Sequence, residues 1–162
     1  MGTTKDLDTA ARMRKIVLAE EVFESSWPHK WLRSGFSNPV WSDGADVAWD
    51  LPKQLTAMPD YIARNGNGAY WVECVGCSGP HVTALKTKKL FLLQEWQQFT
   101  EMQVVLFVYN SKWKMWSGSW LDDLLEASYS HRIKRHSDGP QYWAWTWDEL
   151  KEVAYLSGTR RS

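Results

Sequence analysis

Asp60 and Glu73 are the two carboxylates that the local sequence brings together most directly. They lie 13 residues apart, on either side of Arg64-Asn65-Gly66-Asn67-Gly68. An Asn-Gly pair favours a tight turn with positive φ. Tyr61-Ile62-Ala63 precedes that turn and Ala69 to Val75 follows it, both with strand composition, so residues 59–75 predict a β-hairpin. Antiparallel pairing sets Asp60 beside Glu73. Two carboxylates at one sheet edge, with the backbone carbonyl of Cys74 as a third oxygen, form a hard donor set suited to Mg²⁺ or Mn²⁺. A cation there activates water and offsets charge on a phosphodiester.

The elements around the hairpin follow from periodicity. Asp8 to Trp27 predicts a helix with Asp8 as N-cap and an apolar stripe of Met13, Ile16, Val17, Phe23 and Trp27. Glu20 and Glu24 fall inside that stripe. A carboxylate on a buried face needs a partner: either an Arg or Lys at the rim, or a role as metal ligand or active-site group. Residues 28–58 are rich in Pro and Gly and predict loop, with a strand near Asp46–Leu51. Thr83 to Phe99 predicts a helix with Leu85, Leu92, Trp96 and Phe99 facing inward. Met102 to Tyr109 predicts a central strand and Lys112 to Trp116 its neighbour. Trp120 to Ser128 predicts a short helix. In Tyr142–Trp147, Trp143, Trp145 and Trp147 share one strand face, and a last helix runs from Asp148 to Leu156. The order implies a single α/β (α+β) domain spanning residues 1–162, a mixed central sheet flanked by helices, with frayed tails at 1–8 and 158–162.

Composition narrows the class. Lys plus Arg and Asp plus Glu each number 19, so no global basicity draws the chain to nucleic acid, and such a partner must meet local patches. The densest patch is His131, Arg132, Lys134, Arg135 and His136. Lys112 and Lys114, flanking Trp113, form a second; both are either phosphate contacts or solvated loops. Most of the 12 tryptophans are expected in packing rather than in base stacking. No signal peptide or stretch of membrane-spanning length is present, so the expected setting is the cytoplasm. Cys74-x-x-Cys77 with His81 offers three ligands of a zinc site, with His131 or His136 as a fourth; the alternative is two free thiols.

Pro59-Asp60 and Trp71-Val72-Glu73-Cys74-Val75-Gly76 together resemble the PD-(D/E)XK nuclease superfamily, and the layout over residues 13–116 is most similar to small phage Holliday-junction resolvases and related endonucleases. The resemblance implies a restriction-endonuclease-like fold, a Mg²⁺- or Mn²⁺-dependent DNA endonuclease acting on branched or structured DNA, and Asp60 and Glu73 as metal ligands. It implies a Glu from the first helix, here Glu20, completing the site. It also implies a homodimer, and host cytoplasm if the chain is phage-encoded. Val75 departs from the pattern, because the family has Lys there. In some members that lysine has moved to the following helix, which nominates Lys88 and then Lys86 as catalytic groups and leaves Lys89 with Lys112, Lys114, Arg132, Lys134 and Arg135 as nucleic-acid contacts. The same Val75 keeps open a catalytically inactive nuclease-fold protein that binds nucleic acid or serves a phage structural role. A zinc-stabilised interaction module is the third reading.

Overall fold

The structure, a computed structural model, describes residues 4–34, 58–79, 81–127, 133–135 and 141–160. Its element order is α1 (Thr4–Ser26), β1 (Lys30–Arg33), β2 (Tyr61–Asn65), β3 (Gly68–Cys77), β4 (His81–Lys86), α2 (Thr87–Thr100), β5 (Val104–Asn110), β6 (Met115–Trp120), α3 (Leu121–Ala127), β7 (Ile133–Arg135), β8 (Gln141–Thr146), α4 (Trp147–Glu152) and β9 (Leu156–Thr159). The result is a mixed α+β fold whose central sheet has six strands in the order β1-β2-β3-β5-β6-β9. β3 and β5 are parallel and every other neighbour is antiparallel. A parallel pair needs a crossover, and α2 lies on the segment that supplies it. A second sheet, β4-β8-β7, lies outside the first.

The central strands are apolar on both faces because both faces are covered. All of β5 is buried. On one face Ala19, Val22 and Phe23 of α1, with Trp27 just beyond it, pack against Tyr61, Val72, Cys74 and Phe107. On the other, Leu90 and Leu93 of α2 join Trp71, Val75, Leu106, Leu121, Trp145 and Leu150. Alternation along β3 therefore sends even-numbered residues to α1 and odd-numbered ones to α2.

The expected hairpin is present, with Tyr61 opposite Val72 and Asn65 opposite Gly68. Its positive φ, 139°, falls on Gly68 rather than on the Asn65-Gly66 pair. Asn65 instead closes the turn by accepting the Asn67 N–H at 2.8 Å, the local Asx turn.

Several boundaries differ from expectation. α1 begins at Thr4, so Asp8 lies inside the helix rather than capping it. Its inner face is set by Lys15, Ala19, Val22 and Phe23, which leaves Ile16 and Val17 38% and 48% exposed. Residues 156–159 form β9 against β6 instead of a tail. β1, within the stretch expected to be loop, pairs with β2. Lys112 and Lys114 lie in an exposed turn before β6, not in a strand. Trp147 opens α4, where Thr146 and Glu149 form a reciprocal capping box. The largest change is at Thr83–Lys86, which is strand β4 paired with β8, so the following helix starts only at Thr87. The expected strand at 46–51 and residues His131, Arg132 and His136 lie outside the described residues.

Candidate active site

The β2–β3 register, extended by one residue beyond Tyr61 and Val72, sets Asp60 opposite Glu73. The Asp60 side chain takes up the position a strand would have held: its Oδ2 accepts the Cys74 N–H at 2.8 Å. Its backbone is pinned from the residue after β1, because Ser34 donates its N–H to the Asp60 carbonyl at 2.9 Å and its hydroxyl to the Pro59 carbonyl at 3.0 Å. A strand residue's N–H and C=O point to the same side, so the Cys74 carbonyl also faces the gap left beyond the end of β2.

Glu73 lies on the α2 side of β3 and is only 8% exposed. Lys89 reaches down from α2 to place its ammonium 3.1 Å from Glu73 Oε1. The other oxygen, Oε2, is buried and has no hydrogen-bond partner. Burial and the neighbouring Asp60 charge push the Glu73 carboxyl up to about 8, against the pull of Lys89. Burial likewise raises Asp60, opposed by the Cys74 N–H and by the charges of Lys89 and Arg33. Two carboxylates held this close cannot both ionise freely, which is the electrostatic condition a divalent cation relieves.

An acid whose pKa is higher folded than unfolded adds stability that is complete below its unfolded value and lost as pH rises through its folded one. The relevant window runs from the usual 4.5 to about 8 for Glu73. The metal-free protein is therefore expected to melt at a lower temperature at pH 9 than at pH 6. Glu73→Gln removes that buried charge and flattens the difference, which thermal melts of the two proteins across this range will measure.

Glu20 is buried as expected, but it is paired: Arg33 Nη1 lies 3.2 Å from its Oε2. Arg33 Nη2 lies 2.6 Å from Glu24 Oε1, which also accepts the Tyr61 hydroxyl at 2.7 Å. Burial would raise Glu24, but the hydrogen bonds from Arg33 and Tyr61 outweigh it and hold the carboxyl below its usual value. Among the described residues no three His, Cys, Asp or Glu side chains converge as a metal cluster. Glu20 anchors Arg33, and its charge also adds to the upward push on Glu73. Arg33 escaped the sequence reading. Its signal was indirect, in the demand of two carboxylates on an apolar helix face for a cation.

The lysine assignment changes as well. The helix frame is set by Leu90 and Leu93, so Lys89 turns toward β3 while Lys88 is exposed. Lys86 is the last residue of β4 and also exposed. Lys89, expected at phosphate, is the lysine that meets the carboxylates, and Lys88 and Lys86 are not brought to them. Val75 shares a strand face with Glu73 and is packed in the core on the α2 side. Lys112 and Lys114 are exposed in their turn, and Lys134 and Arg135 lie on β7.

The zinc arrangement is overturned. Cys74 and Cys77 are three residues apart on one strand, so they face opposite sides, one in each core. Both thiols are free and buried, and burial raises both, Cys77 to about 11. One zinc ion cannot take both.

No protein-family model and no curated protein matches the chain. Among solved structures it is similar to Hjc, a Holliday junction resolvase from the archaeal hyperthermophile Archaeoglobus fulgidus. The TM-score is 0.50 at 9% identity, over 86% of this chain and 88% of that one. The fold is Hjc-like. At that identity the likeness is one of architecture: the mixed central sheet and its flanking helices. No helix among the described residues is long and apolar enough to cross a membrane.

Proposed function

We propose that this chain is a divalent-metal-dependent endonuclease that hydrolyses phosphodiester bonds of DNA, with branched DNA as its preferred substrate. The observation that carries the reading is the buried Glu73, with one oxygen on the Lys89 ammonium and the other without a partner, next to Asp60. An orphaned buried carboxylate oxygen is costly unless something pairs with it. Asp60, Glu73 Oε2 and the Cys74 carbonyl would hold a Mg²⁺ or Mn²⁺, with the rest of its shell left to water and substrate. When bound, the ion would lower the pKa of a water and neutralise charge on the phosphoryl oxygens. Lys89 supplies fixed positive charge beside the carboxylates, in the role of the lysine that Val75 replaces, and orients Glu73. Arg33 bridges Glu20 and Glu24 at the end of β1, and Ser34 beside it fixes the approach of Asp60. The exposed Lys112 and Lys114 turn, and the β7 strand with Lys134 and Arg135, are proposed to contact phosphates. A chain with one such site needs a second copy to cut two strands, so a homodimer is part of the proposal.

The test is cleavage of supercoiled plasmid and of a synthetic four-way junction, with Mg²⁺, with Mn²⁺ and with chelator. Cutting is expected only with metal. Asp60→Ala and Glu73→Ala are each expected to lower it by roughly three orders of magnitude, the several kcal/mol that such an ion supplies. Junction binding that both variants retain, with no cutting by the wild type under any metal, would reject the enzyme and leave a DNA-binding protein on a nuclease fold. Because Glu73 sits near 8 without metal, Mg²⁺ must displace a proton. Its affinity is expected to rise from pH 6 to pH 9, with proton uptake by the buffer measurable by calorimetry.

A further inference from the structure

At the opposite end of β3 from Asp60, where the hairpin turn meets the loop into β5, lies a cavity of about 340 Å³. Three aromatic residues, Tyr70, Trp120 and Tyr155, line it, with Asn65, Gln103 and Glu101. The rings form one array: Tyr70 meets Trp120 edge-on at 5.2 Å, and Trp120 meets Tyr155 at 4.9 Å. Asn65 Nδ2 donates to the Tyr155 hydroxyl at 3.0 Å and so fixes one wall to the hairpin. Among the described residues, no Lys, Arg or His lines the cavity. His29 contacts the Tyr70 hydroxyl from outside it.

Glu101 breaks two local rules at once. It caps the C-terminus of the 14-residue helix α2 in the left-handed region, φ 55° and ψ 23°, where Gly or Asn is preferred. It also adds a negative charge to the negative end of the helix dipole, and α2 has no basic residue in its last turn. No ion pair to Glu101 exists among the described residues. Breaches of local preference without a visible gain mark functional positions. Here both put negative potential, unpaired among the described residues, at the wall of an aromatic-lined cavity. A phosphate or carboxylate would be repelled from it. A cation would meet Glu101, the helix terminus and the partly exposed rings of Trp120 and Tyr155 together.

We infer that this cavity is a binding site for a small alkylammonium cation, of the quaternary-ammonium or polyamine class. The site is separate from the Asp60–Glu73 pair and its occupancy does not depend on nuclease activity. A cavity of this size accommodates a ligand of that class.

The test uses the full chain and follows indole N–H resonances and calorimetric heat on titration with choline, with spermidine and with 3,3-dimethylbutan-1-ol, the uncharged shape mimic of choline. Choline is expected to shift the Trp120 indole and to bind at least about tenfold more tightly than the alcohol. Spermidine separates polyamine from quaternary-ammonium preference. Glu101→Gln is expected to weaken choline about tenfold. Glu101→Gly, which relieves the left-handed backbone, is expected to melt higher than wild type yet still lose the cation, so the loss cannot be ascribed to unfolding. Equal binding of choline and the alcohol, undiminished choline affinity in both Glu101 variants, or no perturbation of Trp120 would each overturn the inference.

Discussion

Lys89→Met is expected to lower the rate of metal-dependent DNA cleavage by about 100- to 1,000-fold, the cost of removing one fixed charge-stabilising group. Lys88→Met and Lys86→Met are expected to stay within about threefold of wild type. The contrast rests on position. Lys89 Nζ lies 3.1 Å from Glu73 Oε1, whereas Lys88 and Lys86 are exposed. Junction affinity separates the two roles open to Lys89. A phosphate contact would weaken binding and reduce its salt dependence by about one charge. A group acting at the reacting centre leaves binding near wild type and lowers the single-turnover rate. The second pattern is expected, and raising Mg²⁺ is not expected to restore the rate. A Lys89→Met enzyme that cuts normally while Lys88→Met fails would return the role to the exposed lysine and detach Lys89 from the chemistry.

The sequence carried the hairpin because every determinant of it is local. The turn residues, the two flanking strands and the 13-residue spacing between Asp60 and Glu73 all lie within one short segment. The central strand was legible for a similar reason, since a run buried on both faces can be read without knowing its neighbours. The lysine was not. Its identity depends on where α2 starts, and that is fixed by β4 pairing with β8, roughly 60 residues further along the chain. Read as helix, Thr83–Lys86 put Leu85 on the inner face and rotated the frame toward Lys88. Paired as strand, it hands the frame to Leu90 and Leu93 and turns Lys89 inward. Arg33 was hidden likewise. β1 is four residues long, each of them exposed, with no periodicity to betray it, and the partners of Arg33 are Glu20 and Glu24 on another element. The carboxylates on the apolar face of α1 did signal that a cation must come, but not from where.

Gly76→Ala is expected to destabilise the protein by about 3 kcal/mol or more, the upper end for overpacking against rigid backbone. For a chain of this length that lowers the melting temperature by roughly 6–12 °C. A Cβ at Gly76 would lie 2.2 Å from the Lys15 carbonyl oxygen and 2.6 Å from its carbonyl carbon, both main-chain atoms that no rotamer change can move. Relief requires α1 to lift from β3, which opens the packing of Ala19 and Phe23 against the sheet. The same displacement draws Glu20 and Glu24 away from Arg33, at the end of the strand that pins Asp60. The loss of stability should therefore carry a loss of metal-dependent activity at temperatures where the variant remains folded. Gly66→Ala is the matched control. Its Cβ meets nothing within 4 Å and its φ is not in the left-handed region, so it is expected to be neutral, or stabilising by about 0.4–1 kcal/mol through the unfolded chain. A Gly76→Ala protein that melts within 2 °C of wild type, about the shift of a single kcal/mol or less, would show that α1 does not lie against β3 at this depth. The route by which this helix positions the Asp60 end of the hairpin would fall with it.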